Sequence, residues 1–247
     1  MRYLLSRQAR PVLECLARER TLCAFDFDGT LAPITAHPDD AGMRASTRDR
    51  LSRLATLYPC VILSGRARAD VASKLEGVNV LRVLGSHGAE TEFSGTNGRP
   101  QVNQWKVALE RELGAADGLW VEDKGHSLAV HYRNAPHKIE ARERILSAAE
   151  SLEHARVLGG KQVVNLTIEG DPHKGTALAA ERNRLGCDWV LYAGDDDNDE
   201  DAFSIDGNLV GVRVGWSART KARYFLRSQT EVDTLLENLV NLRLAAS

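Results

Sequence analysis

Leu22-Cys23-Ala24-Phe25-Asp26-Phe27-Asp28-Gly29-Thr30-Leu31 is an unbroken apolar run that ends in two carboxylates one residue apart, with a glycine directly after. Leu22 to Phe25 reads as a short strand buried on both faces, the kind that builds parallel sheets. Asp26 and Asp28 then fall at its carboxyl end, where open α/β sheets bind their ligands. Acids at i and i+2 on extended backbone point the same way. Like charges side by side are costly unless a cation neutralises them. The stretch therefore predicts a hard metal ion held through oxygen, Mg²⁺ foremost. The plainer alternative is a strand that ends in a polar Asp-Gly turn. What separates the two is whether other segments bring matching groups.

Three further apolar runs follow the same plan. Cys60 to Leu63 leads into Ser64-Gly65-Arg66, Val80 to Leu84 into Gly85-Ser86-His87-Gly88, and Trp189 to Ala193 into the acidic run Gly194 to Asp201. Leu209 to Val214 reads as one more strand. Between them lie helical patterns. Ser46-Thr47-Arg48-Asp49 resembles a capping box ahead of Leu51, Leu54 and Leu57. Val71, Ala72 and Leu75 mark a second helix, and Gly175 to Leu185 a third, closed by Gly186. Leu4, Leu5, Val12, Leu13 and Leu16 form a helical stripe that Pro11 kinks or splits. Val232 to Leu244 is an amphipathic helix suited to cover a sheet face. This alternation predicts an α/β fold with a doubly wound parallel sheet.

The pattern breaks after the third strand. Phe93 to Pro100 is a polar, glycine-bearing loop and a natural boundary. A helix from Val102 to Leu113 follows. Leu119 to Lys124 and Ser127 to Arg133 then flank Gly125-His126, a connection that suits a hairpin turn with glycine first. In that register Lys124 faces Ser127, Glu122 faces Ala129 and Trp120 faces His131. One hairpin face is apolar (Leu119, Val121, Leu128, Val130, Tyr132). The other carries Trp120, Glu122, Lys124, Ala129, His131 and Arg133. A helix from His137 to Glu153 and strands near 156–158 and 162–168 complete the unit. The expected organisation is a core of residues 1–98 and 172–247 interrupted by a smaller α+β cap at 99–171, with hinges at 93–100 and 169–173.

The formal net charge of −2 comes without any basic block, which argues against a nucleic-acid partner. The four cysteines include no Cys-x-x-Cys pair, and Cys23 and Cys60 sit inside apolar runs. That usage fits a reduced, cytoplasmic protein. Met1 to Arg20 has no continuous apolar stretch, so it reads as neither signal peptide nor membrane span.

Asp26 with Asp28, Ser64, and Asp195 end strands expected to be parallel, so they open onto one sheet edge. Lys174 starts a helix whose free N–H groups suit an anion. Carboxylates, a hydroxyl and a cation around one point are the equipment of phosphoryl transfer. The acidic run is not an EF-hand, because the sixth position counted from Asp195 is Glu200 rather than glycine. Asp195 is the expected metal ligand and Asp199 the acid behind it; Asp197 and Asp201 read as exposed.

In their order along the chain, Asp26-Phe27-Asp28-Gly29-Thr30, Ser64-Gly65-Arg66, Lys174-Gly175 and Gly194-Asp195-Asp196 with Asp199 resemble the four motifs of the haloacid dehalogenase-like phosphatases. The resemblance implies that Asp26 attacks phosphorus and becomes a phospho-aspartate. It implies that Asp28 protonates the leaving alkoxide and then activates water, while Ser64 and Lys174 hold phosphoryl oxygens. Mg²⁺ would sit among Asp26, Asp28 (through its carbonyl) and Asp195, with Asp196 and Asp199 in the same metal-binding motif. A carboxylate nucleophile and a second carboxyl acting as acid and base agree with the chemistry read from the residues.

The insertion point matches a C2-type cap. Gly85 to Glu90, Val121-Glu122-Asp123-Lys124 and His131-Tyr132-Arg133 are similar to trehalose-phosphate phosphatases, whose cap carboxylate and lysine groups bind sugar hydroxyls. The implied substrate-binding residues are Ser64, Gly65, Arg66, Glu122, Lys124, His131, Arg133 and Asn165. One departure stands out: many relatives carry glutamate at position 165 and arginine at 167, where this chain has Asn165 and Thr167. His87 reads as a structural or hinge histidine and His173 as loop. The expectation is a phosphatase acting on trehalose 6-phosphate, as a monomer or weak homodimer without nucleic-acid or membrane partners. The alternatives are a related sugar-phosphate or glucosylglycerate-type phosphatase, a phospho-accepting signalling domain, and an inactive binding module. The signalling domain would need neither Asp28 nor a sugar-facing cap.

Overall fold

A computed structural model describes residues 1–35, 37–91, 99–114 and 118–246. In chain order its regular elements begin with β1 (Arg2–Tyr3), α1 (Arg10–Arg18), β2 (Thr21–Phe25), α2 (Ala45–Ala55), β3 (Cys60–Leu63), α3 (Arg68–Lys74) and β4 (Arg82–Leu84). The inserted stretch gives α4 (Pro100–Leu113), β5 (Trp120–Asp123), β6 (Ser127–His131), α5 (Lys138–Glu150), β7 (Ala155–Gly160) and β8 (Val163–Ile168). The chain then returns through α6 (Lys174–Leu185), β9 (Trp189–Gly194), β10 (Asn208–Val214), β11 (Tyr224–Leu226) and α7 (Glu231–Ala246).

Among the described residues the strands form two sheets. One is parallel, seven-stranded, in the order β1-β11-β10-β9-β2-β3-β4; the other is antiparallel, in the order β5-β6-β8-β7. In the first sheet β2 lies between β3 and β9, so the chain winds outward from it in both directions. Such a reversal opens a crevice at the carboxyl ends of the strands, which here is the end of β2.

Both faces of β2 are covered, as a continuous apolar strand requires. Cys23 and Phe25 pack with Leu16, Leu51, Leu191 and Leu235 from the α1, α2 and α7 side. Leu22 and Ala24 pack with Leu178, Val190 and Tyr192 on the α6 side. Burying a side chain such as Phe25 contributes about 1.5–3 kcal/mol, so the strand that carries the first two acids is firmly seated. The antiparallel sheet has one covered face, where Leu128, Val130 and Leu166 meet Val102, Trp105, Leu109 and Ile145 of α4 and α5. Its other face is left for the core.

The structure departs locally from the sequence reading. Arg44, not a serine or threonine, precedes α2, and no side chain caps that helix. The capping box fails because Ser46 and Thr47 are engaged elsewhere: their hydroxyls donate to Asp233 on α7 at 2.7 and 2.5 Å. Pro11 lies in the first turn of α1, where its missing N–H costs nothing, and a separate single turn at Arg7–Ala9 precedes the helix. The short edge pair β1 and β11 has too few residues to show a period. Gly186 caps α6 in the left-handed conformation, as expected. The loop at 93–100 lies almost wholly outside the described residues.

Candidate active site

Asp26 continues the β2 pairing, its amide donating to the Ala193 carbonyl at 2.9 Å. The chain then turns tightly, closed by Gly29 N–H to Ala32 O at 2.7 Å and Ala32 N–H to Phe27 O at 2.9 Å. Gly29 has φ +80°, and a Cβ there would fall on the Asp195 carboxylate. A Cβ at Gly194 would likewise fall on Asp199. Two glycines thus leave the space in which two acids lie.

Asp26, Asp195 and Asp199 are all buried, and each offers a carboxylate oxygen within 4.8 Å of the other two. Lys174, 1% exposed, enters from the start of α6. Its Nζ donates to Asp26 Oδ1 at 2.7 Å and to Asp199 Oδ1 at 2.6 Å. The Tyr192 hydroxyl also donates to Asp199 Oδ1, at 2.6 Å, and the Asp196 amide to Asp199 Oδ2 at 2.9 Å. Asp199 thus accepts three hydrogen bonds and holds Lys174 in place. Burial works against the Lys174 charge, but Asp199 and Asp26 outweigh it and hold the amine protonated well above its usual range. Burial, with Asp199 and Asp195 nearby, pushes the Asp26 carboxyl well up although Lys174 opposes this. Asp195 is pushed up to about 6 by burial, with Asp199 and Asp196 adding and Lys161 opposing.

Three buried acids against one buried lysine leave surplus negative charge in a dry place. Such a set is stable when a cation compensates it. The donors are all oxygens, which suits Mg²⁺ or another hard divalent ion. The residues fit a metal, with Asp26 and Asp195 the carboxylates best able to turn toward it. Asp196 lies apart from this triad. Its carboxylate accepts from the amides of Asp197 at 2.9 Å and Lys161 at 3.3 Å. The Asp28 carboxylate is also engaged elsewhere, gripped by Arg66 through Nε at 2.6 Å and Nη2 at 2.8 Å. Arg66 in turn reaches Asp70 at 2.7 Å. Ser64 is buried at the end of β3, and its Oγ accepts from the Arg66 amide at 3.2 Å.

A cavity of about 220 Å³ lies between the sheet edge and the inserted unit. Asp26, Asp28, Gly65, Arg66 and Asp195 form its core side. Trp120, Glu122, Lys124, His131, Arg133 and Asn165 form the facing wall. The hairpin register read from the sequence is the register observed: Trp120 pairs with His131 and Glu122 with Ala129. Gly125 has φ +78°, and the Lys124 amide bonds the Ser127 carbonyl at 3.0 Å. On the wall, Glu122 Oε2 meets His131 Nε2 at 2.8 Å and Lys124 Nζ at 3.7 Å. The Trp120 and His131 rings stack at 4.0 Å between centroids. Burial raises the Glu122 carboxyl, but His131 and Lys124 outweigh it and hold it below the usual range.

Several groups went unread in the sequence. Lys161, at the turn between β7 and β8, contacts Asp195. Arg156 on β7 grips Asp201 at 2.7 and 2.9 Å, so Asp201 is not an exposed acid. His173 is no idle loop residue: its Nδ1 accepts from the Gly175 amide at 3.2 Å and caps α6. Tyr192 gave no signal either, lying inside an apolar strand. Only strand register, known after the fold, could have placed Lys161 and Arg156 over the acidic loop.

Comparison with known proteins agrees with this architecture. The family model described as trehalose-phosphatase matches residues 24–229. A trehalose-phosphate phosphatase of Mycobacterium tuberculosis is 34% identical over 220 residues, and that of Mycolicibacterium paratuberculosis is 38% identical over 221. Each alignment covers 81% of this chain and 55% of the relative, so the chain spans about half the length of the curated relatives it matches. The C-terminal domain of a C. albicans trehalose-6-phosphate phosphatase superposes with TM-score 0.80 at 22% identity, covering 94% of this chain and 96% of that one. A sugar phosphatase of haloacid dehalogenase subclass IIB superposes with TM-score 0.62 at 16% identity, covering 88% and 98%. These structures share the fold, a parallel sheet with an inserted antiparallel cap, and the match along residues 24–229 assigns the sequence: the chain belongs to the trehalose-phosphatase family.

Proposed function

We propose that this chain is a Mg²⁺-dependent phosphatase that hydrolyses trehalose 6-phosphate to trehalose and phosphate. The observation that carries the reading is the position of Asp26. Its carboxylate is fixed by Lys174, grouped with Asp195, and faces a cavity whose far wall is the polar hairpin face of the insertion. An Asp26 oxygen attacks phosphorus, and the bond from phosphorus to the sugar oxygen breaks. Asp28, protonated on one oxygen in place of one prong of the Arg66 fork, gives that oxygen its proton. Asp28 then takes a proton from water, which attacks the phospho-aspartate and releases phosphate with Asp26 restored. The Arg66 fork sets the direction of the Asp28 carboxyl. Lys174 holds its charge at the reacting carboxylate, and in this reading the Ser64 hydroxyl donates to a phosphoryl oxygen. Bound Mg²⁺ would supply charge neutralisation at the phosphoryl group.

Residues 99–171 act in this reading as the lid that selects the sugar. Trp120 offers a ring for stacking, and Glu122, Lys124, His131, Arg133 and Asn165 offer hydrogen bonds. A related sugar phosphate is the second reading, favoured by the uncharged Asn165 on the cavity wall. Among the described residues no helix is long and apolar enough to cross a membrane. The test is phosphate release across a panel of phosphorylated sugars, with Mg²⁺ and with chelator. Preference for trehalose 6-phosphate, lost on chelation, supports the proposal. Equal turnover of glucose 6-phosphate overturns the substrate, and turnover in chelator overturns the metal.

A further inference from the structure

We propose that His87 recognises the sugar: its imidazole accepts a hydrogen bond from a hydroxyl of the phosphorylated substrate inside the cavity. The proposal rests on the reading of this cavity as a sugar-phosphate site.

The backbone around His87 is strained. Ser86 has φ +47° and His87 φ +60°, consecutive left-handed residues of which neither is glycine. Such conformations are disfavoured for residues with a Cβ and persist where the surroundings over-determine them, often at ligand sites. Here the Ser86 amide donates to the Arg66 carbonyl at 2.7 Å and the His87 amide to the Ser64 carbonyl at 2.8 Å. Glu90 Oε2 braces the loop by accepting from the Arg68 amide at 2.7 Å. The strained turn is thus strapped to the Ser64-Gly65-Arg66 segment, and its side chain is aimed rather than free. The ring lies against Gly65, where a Cβ would meet it.

His87 is 2% exposed and lines the cavity. Among the described residues neither ring nitrogen has a hydrogen-bond partner. A buried polar group left unpaired is costly and calls for an explanation. Burial first, then Lys124 and Lys174, hold the imidazole well below its usual pKa. The Asn165 amide opposes this without reaching hydrogen-bond geometry. A neutral ring keeps one lone pair to accept with. Arg66, Lys124, Arg133 and Lys161 on the same walls are donors only, so none of them can accept a hydroxyl proton. Sugar hydroxyl protons need acceptors, and His87 supplies one from the core side, opposite Glu122 on the inserted side.

The test is the His87→Asn variant, because asparagine tolerates a left-handed backbone. Relative to wild type, KM for trehalose 6-phosphate should rise roughly tenfold, the size of one neutral hydrogen bond. Its kcat, and turnover of p-nitrophenyl phosphate, should stay within about twofold, since no transition-state contact is removed. Equal losses on both esters, or an unchanged KM, would overturn the proposal. Should the variant not fold, the wild-type protein with ¹⁵N-labelled histidine decides. Trehalose must shift a His87 ring nitrogen resonance, and a resonance that stays put overturns the proposal. If wild type turns over another sugar phosphate instead of trehalose 6-phosphate, the substrate reading has failed. The same KM criterion, applied to that sugar phosphate, then decides on His87. If wild type turns over none, both fall.

Discussion

Lys161, on the turn that joins the last two strands of the inserted sheet, places its Nζ against Asp195 Oδ2 at the edge of the core sheet. The lysine side chain is 49% exposed and the aspartate side chain 2%. A half-exposed cation from one unit thereby rests on a buried carboxylate of the other, and that carboxylate belongs to the buried acidic triad. The same oxygen cannot satisfy Lys161 and a divalent ion equally well.

Lys161→Met should therefore tighten divalent-ion binding. The pair is half in solvent, so the gain is modest, roughly two- to fivefold. Titration with Mn²⁺ followed by its electron paramagnetic resonance signal measures it. Unchanged or weaker binding would show that the contact does not compete.

Asp26→Asn should abolish turnover, with a loss of at least about a thousandfold, as expected when a nucleophile is removed. The fold should survive because Lys174 keeps Asp199 as partner. Circular dichroism and thermal melting check the fold. Turnover near the wild-type rate would remove Asp26 from the mechanism.

Glu122→Ala and Lys124→Ala should separate sugar binding from chemistry. Each should cost roughly ten- to a hundredfold in kcat/KM for trehalose 6-phosphate, given charged hydrogen bonds lost on a buried wall. A small phosphate ester should suffer far less. Parallel losses on both substrates would mean that this wall does not hold the sugar.

Arg66→Lys should behave differently. The charge stays, but the two-pronged grip on Asp28 becomes a single contact. Both esters should lose about tenfold in kcat, because the acid-base carboxyl is misdirected for either. A selective loss on the sugar substrate would place Arg66 in recognition instead.

The elevated Asp195 gives a pH signature. Burial first, with Asp199 and Asp196 adding, pushes its carboxyl up to about 6 in the fold from the ordinary 3.8. The folded state thus holds this proton more tightly than the unfolded chain does. Without metal, stability should fall as pH rises from about 4 to about 6. Asp195→Asn should flatten that slope, which urea midpoints in chelator at several pH values will read. Metal binding should weaken below about pH 6, where the proton must be displaced first. A slope unaltered by the substitution would assign it to another group.

The centre of the parallel core was readable because β2, β3 and β9 are continuous apolar runs, each followed by a chemical signature, whereas β1 and β11 are too short to show one. Asp26, Ser64 and Asp195 needed only the rule that parallel strands share an edge. The cap hairpin was readable because Gly125 fixes the turn and the turn fixes the register. Lys161 and Arg156 were not, because their partners lie in the acidic run of the other unit, and Tyr192 was not, because it sits inside an apolar strand with no local pattern to mark it. Ser46 and Thr47 misled for the same reason: a residue on α7, distant in sequence, claims hydroxyls that local rules assign to the helix start.

Gly29 and Gly194 have a consequence for how this protein can change. The side chains of the hairpin wall border a cavity of about 220 Å³, so residues of other sizes can stand there. Neither glycine offers such latitude, because any larger residue would evict an acid from its berth. Relatives that differ along the cavity roof should therefore still keep the smallest residue at both of these floor positions.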